Sequence, residues 1–167
     1  TLRRRSRAAG RWAETHLEPI LVPFVRTVRA LRRPTKAENM RRLRDRGETL
    51  TSFVFRDAVP DDLSALAALH VKAWAATYPN VRRPPTYTIR ESQWREAFAK
   101  VDGSWFCIVI ENARGELVGF AKGIKCGDGT GDLNKIYLVG EYQRLGLGRR
   151  LVGHVARRFL ASGISVM

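Results

Sequence analysis

The stretch NKIYLVGEYQRLGLGRRLVGHVARRFL, Asn134 to Leu160, decides how this chain is read. An apolar strand pattern enters it and an apolar helix pattern leaves it. Between them Gln143, Arg144, Gly146, Gly148, Arg149 and Arg150 fall within eight positions. The first N–H groups of a helix have no intrahelical acceptor, and with the helix dipole they make a site for an anion. Glycine there removes the Cβ that would hold the anion away. Arg144, Arg149 and Arg150 can add charge-assisted hydrogen bonds. An ordinary strand-to-helix turn is the competing reading of the glycines alone. The loop lacks the Gly-Lys-Ser/Thr of a nucleotide triphosphatase and the third glycine of a dinucleotide fold.

Working upstream, the chain alternates element type from residue 51. TSFVFRDAV has strand composition, with Phe53 and Phe55 on one face. The next segment carries acidic residues Asp61 and Asp62 ahead of Leu63, Leu66, Val71 and Trp74 at helical spacing. TIRESQWREAFAKV reads as a second helix with Ile89, Trp94 and Phe98 on its core side. SWFCIVIEN and ELVGFAKGIKC flank a turn at NARG and read as a hairpin. Pairing Glu111 with Glu116 across that turn sets Cys107 opposite Phe120. LNKIYLV is a further strand, 147–162 a helix, and ISVM the start of another strand. The order β-α-α-β-β-β-α-β describes an α+β (α/β) domain whose sheet is mainly antiparallel and turns parallel at its end.

The 167 residues carry 30 Lys and Arg against 16 Asp and Glu, a net charge of +14. The excess is uneven: +9 falls in residues 1–50 and +5 in 51–167. Leu17, Ile20, Leu21, Phe24, Val25, Val28 and Leu31 form a helical stripe, with Arg26, Arg29, Arg32 and Arg33 largely off it. Residues 17–33 could therefore dock on a protein complex or an anionic membrane surface, or pack on the chain's own domain. AENMRRLRDRGE reads as a short charged helix ended by Gly47. We divide the chain into a basic amphipathic helical extension, 1–50, and a domain, 51–167. No base-reading motif accompanies the charge, so nucleic acid ranks last among the partners. Two cysteines, neither in a CxxC pair, indicate no disulfide framework and no metal site. They fit a cytoplasmic setting, extended by the N-terminal reading to the periphery of a membrane or larger complex. No apolar run approaches the roughly 18 residues of a spanning helix.

Placed after a strand LxxIYL, the Gln-x-x-Gly-x-Gly of QRLGLG resembles the acetyl-CoA pyrophosphate loop of the GCN5-related N-acetyltransferase (GNAT) superfamily. The resemblance runs from about Ser52 to the end and includes FRDAVPDDLSALAALHVKAWAATYP. It implies a GNAT-like mixed sheet flanked by helices, acetyl-CoA as co-substrate, and acetyl transfer to a primary amine. By the same resemblance, the backbones of Tyr137, Leu138 and Val139 face the pantetheine arm. The amides of Gln143, Arg144, Leu145, Gly146, Leu147, Gly148 and Arg149 bind the pyrophosphate. Asp132 matches the position of a glutamate that often acts as base through water, or else is a turn residue after Gly131. The Leu138 N–H is the implied oxyanion donor, and His70, Trp74 and Tyr78 belong to the acceptor wall. Relatives continue into further strands and a helix whose tyrosine is the usual acid. This chain stops at Met167, which leaves three expectations: a natural C-terminal truncation, a partner completing the sheet, or a sequence that does not reach the true terminus. A catalytically degenerate accessory subunit, docked through its basic N-terminal helix, is the alternative to an active enzyme.

Overall fold

The computed structural model describes residues 33–127 and 129–167. The amphipathic stripe read at 17–33 lies, except for Arg33, outside them. Residues 33–167 form one compact unit.

Its first element is α1 (Lys36–Asp45), opened by Thr35 and Glu38 as a reciprocal cap. The Glu38 N–H donates to Thr35 Oγ1 at 3.2 Å, and the Thr35 N–H donates to Glu38 Oε2 at 2.7 Å. Gly47, at φ +69°, takes the chain out of the helix. The composition shift at 49–51 is thus not the boundary of the compact unit. Leu43 is buried in the core, and α1 belongs with the domain rather than with an extension. The charge density of RRLRDR hid its one core-facing leucine.

Strands β1 (Val54–Asp57), β2 (Trp105–Glu111), β3 (Leu117–Lys125) and β4 (Gly131–Leu138) form a sheet in the order 1-2-3-4, with every neighbouring pair antiparallel. Helices α2 (Leu63–Thr77) and α3 (Tyr87–Ala99) cover one face, where His70 and Trp94 meet Phe120. Helix α4 (Leu147–Ala161) covers the other, where Phe159 meets Phe106 and lies 2.8 Å from where a Cβ on Gly131 would sit. The strand expected at ISVM is not formed. Instead the Gly131 N–H donates to Val166 O at 2.8 Å on the outer edge of β4.

Two sequence expectations shift in register or phase. Cys107 stands opposite Lys122, and Phe120 opposite Val109. The turn is longer than a two-residue hairpin because Asn112 Oδ1 accepts from the N–H groups of Arg114 and Glu116, and a bulge follows at Ile110/Glu111. Both cysteines are free all the same. In α3 the buried face is Arg90, Trp94 and Ala97, while Ile89 is 49% exposed. Thr86 caps the helix and sets this phase, so a long arginine fills the place assigned to isoleucine.

Candidate functional site

Helix α4 begins at Leu147 because Gly146 adopts φ +83°, a left-handed conformation that glycine tolerates without a Cβ penalty. Arg144, at φ +60°, is the one non-glycine residue with positive φ among those described. These two reversals flank Leu145, whose side chain is buried in the core. The first helical bond is from the Arg150 N–H to Gly146 O at 3.2 Å. Among the described residues, the N–H groups of Arg144, Leu145, Gly146, Leu147, Gly148 and Arg149 therefore have no acceptor. Nothing lies within 4 Å of a Cβ built on Gly146, so the concavity is open. Gly148 seats the helix on β4, where an added Cβ would meet Leu138 Cδ1 at 3.3 Å.

Gln143 serves differently from the expectation. Its own N–H is taken by Gly140 O at 3.2 Å, and its side-chain Nε2 donates to Leu138 O at 3.0 Å. The residue closes the turn and caps the strand, and its own N–H is not free for an anion.

Strand geometry sorts the three expected pantetheine contacts. The Val139 N–H donates to Val118 O at 3.0 Å, and Val139 O accepts from the Tyr142 N–H at 2.9 Å. Gly119 and Leu138 are partners, so they form a pair whose own N–H and C=O groups turn away from each other. Leu138 thus turns its N–H to the outer edge of β4, whereas Tyr137 turns its backbone toward β3. By the same alternation Ile136 also presents its N–H outward. Ile136 was not singled out from the sequence. Only the register, once known, distinguishes the even positions from the odd.

Asp132 lies in β4 opposite Ile124, exposed, and not in the preceding turn. A register shift separates it from the Lys122–Lys135 pair, which lets Asp132, Lys135 and Tyr137 share the face covered by α2 and α3. The amine of Lys122 lies 5.0 Å from the centre of the Trp105 ring and 5.8 Å from that of Trp94. Burial, then the nearby Lys135 and Lys100, holds its pKa below the ordinary lysine value. Of the expected acceptor wall, His70 is 2% exposed and packs on Trp94, Phe120 and Tyr137. Neither ring nitrogen of His70 has a hydrogen-bond partner among the described residues. Burial, with Arg90, Lys135 and Lys122 adding to it, lowers its pKa to about 3, so the ring is neutral. Trp74 is buried and stands 5.1 Å from the Tyr78 ring, which is exposed.

A cleft of about 540 Å³ lies between α2 and the β2–β3 turn, lined by residues including Ala65, Lys72, Arg114, Val139 and Tyr142. None of residues 143–149 lines it. Backbone N–H groups at a helix end make an anion-binding surface rather than a cavity, so the two are distinct features. No group of metal-ligating side chains occurs among the described residues. No helix among them is long and apolar enough to cross a membrane.

A family model described as the acetyltransferase (GNAT) family matches residues 66–167. This chain belongs to that family. Among curated proteins it is similar to YuaI of Bacillus subtilis, described as an uncharacterized N-acetyltransferase, with 30% identity over 121 residues and 67% of each chain covered. The fold is shared with the PaiA N-acetyltransferase of Thermoplasma acidophilum, solved with coenzyme A: TM-score 0.53, 20% identity, covering 68% of this chain and 75% of that one. It is also shared with a phosphinothricin acetyltransferase from Sinorhizobium meliloti, solved with acetyl-CoA: TM-score 0.52, 24% identity, covering 66% of this chain and 60% of that one.

Proposed function

We propose that this GNAT domain transfers an acetyl group from acetyl-CoA to a primary amine. The observation that carries the reading is the run of six N–H groups without an acceptor among the described residues, Arg144 to Arg149, at the foot of α4 and beside the outer edge of β4. Pyrophosphate is the part of acetyl-CoA that such a cradle fits, since it offers several anionic oxygens to N–H donors and the helix dipole. Strand β4 then supports the acyl arm, and the outward N–H groups of Leu138 and Ile136 are the donors for a thioester carbonyl as its oxygen gains charge.

Acyl transfer also requires a neutral amine and a route for its proton. Asp132 is the base in this reading. At a strand rise of about 3.3 Å per residue it stands about 20 Å along β4 from Leu138 and about 13 Å from Ile136. A water relay is therefore required, and the Ile136 N–H is the better placed donor. Lys122 and Lys135, on the same face, favour the neutral form of an amine brought between them.

The reading is tested by following coenzyme A thiol release from acetyl-CoA with a panel of polyamines, amino acids, peptides and amino sugars. It expects release above hydrolysis with at least one amine, lost in Gly146→Glu. Tight acetyl-CoA binding with no transfer to any amine would count against the enzymatic reading.

A further inference from the structure

Helix α1 lies upstream of the residues that the family model matches, yet it is anchored on the loop that carries the cradle. Asn39 is fully buried, and its Nδ2 donates to Gly140 O at 3.0 Å and to Gln143 O at 2.8 Å. One amide group thus ties both ends of the turn that precedes the cradle. Arg46 continues the contact: its Nη1 donates to Glu141 Oε2 at 2.7 Å, and its guanidinium carbon lies 4.8 Å from the centre of the Tyr142 ring. Past the helix, Leu50 O accepts from Arg150 Nη1 at 3.0 Å.

We propose that α1 is a brace built onto the family domain to hold the coenzyme loop in its binding conformation, with Asn39 as its positioning residue. A peptide unit is planar and trans, so its C=O and N–H point in opposite directions. Holding Gln143 O against Asn39 therefore turns the Arg144 N–H away from α1 and into the cradle, at the residue where the chain takes its positive φ. Asn39 Oδ1 has no hydrogen-bond partner among the described residues. Burying an unsatisfied oxygen costs stability that an apolar residue of similar size would not. Tight packing of α1 alone gives no reason for an amide here; two donations to loop carbonyls do.

The inference rests on acetyl-CoA being the ligand, and its test separates the two. Coenzyme A binding is measured by calorimetry on the full chain and on Asn39→Asp, which keeps the shape but replaces the two N–H donors with an acceptor. Amide NMR spectra and thermal melts are recorded on both, and Ile110→Val serves as a destabilised control away from the loop. The brace predicts that Asn39→Asp weakens coenzyme A by roughly tenfold or more, because small misplacements of a binding group are costly. It also predicts shifted resonances for Arg144–Arg149 in the free variant, whereas Ile110→Val loses stability and keeps its affinity. Unchanged affinity in folded Asn39→Asp overturns the brace. If Asn39→Asp does not fold, Glu141→Gln decides, with about threefold weakening expected from loss of its partly exposed ion pair with Arg46 and unchanged affinity overturning the proposal. Failure of the unaltered chain to bind coenzyme A overturns the functional reading itself.

Discussion

The two ends of β4 are built on different principles. At its C-terminal end the features are those of the backbone: a side chain caps the last strand carbonyl, two positive-φ residues turn the chain, and six N–H groups have no acceptor among the described residues. At its N-terminal end side chains dominate, with exposed Asp132, paired Lys122 and Lys135, and neutral His70 beneath Tyr137. Backbone sites depend on φ and on hydrogen-bond parity, so only a few residue types fit them. Side-chain sites depend on what faces them, and many residue types serve. In the proposed reading the first end therefore holds the shared co-substrate, and the second would set the acceptor preference.

The comparison breaks most easily at Gly146. A glutamate there would force a left-handed residue to carry a side chain and would set a carboxylate in the open cradle. We expect acetyl-CoA binding to disappear in calorimetry while the circular dichroism spectrum is unchanged. The opposite end separates cleanly if Asp132→Asn lowers kcat by about 10²–10⁴-fold, the usual worth of a general base, with acetyl-CoA affinity intact. Equal kcat in the two proteins would assign the proton to another group.

His70 tests the buried side of the same end. In the fold burial keeps its pKa near 3, whereas the unfolded chain protonates it near its ordinary value of 6.5. Between those values the unfolded state binds more protons, so stability is full above the unfolded pKa and falls as pH drops toward the folded one. The slope from this group is about 1.4 kcal/mol per pH unit. His154, lowered first by burial against Phe55, adds to it in the same direction. Urea titrations of His70→Phe between pH 6.5 and 5.5, above the ordinary carboxylate values from which Asp62 and Glu116 are lowered, should show a shallower loss than the parent. Identical slopes would mean that His70 is not held neutral. The smallest effect is expected from Gly148→Ala, whose Cβ needs Leu138 to give by a few tenths of an ångström. Overpacking of that size should weaken acetyl-CoA by about threefold, and a larger loss would make the Leu138 seat part of the cradle.

What was legible in the sequence follows the same division. The glycine spacing, the strand before it and the helix after it stand where the pattern placed them, because φ > 0 and free helical N–H groups have strong residue preferences. Strand parity was not legible: whether Leu138 or Tyr137 turns its backbone outward depends on the β3–β4 register, which sets Gly119 opposite Leu138 and bonds the Val139 N–H to Val118 O. Arg90 escaped the reading of α3 because a charged residue was not expected in a buried place. Asn39 and Leu43 escaped beside a run of arginines, and the partners of Asn39 are about a hundred positions away. The acceptor end offered no spacing rule at all, since Asp132 gains its place only through the register shift beside it.

The most direct test of the account is a calorimetric titration of the 167-residue chain with acetyl-CoA, alongside an intact-mass measurement of the same sample. The account predicts binding at the micromolar level, roughly −8 kcal/mol, removed by Gly146→Glu. A folded chain of the correct mass that takes up no acetyl-CoA, or that binds it equally well as Gly146→Glu, would contradict the claim that the N–H groups of Arg144–Arg149 cradle a pyrophosphate.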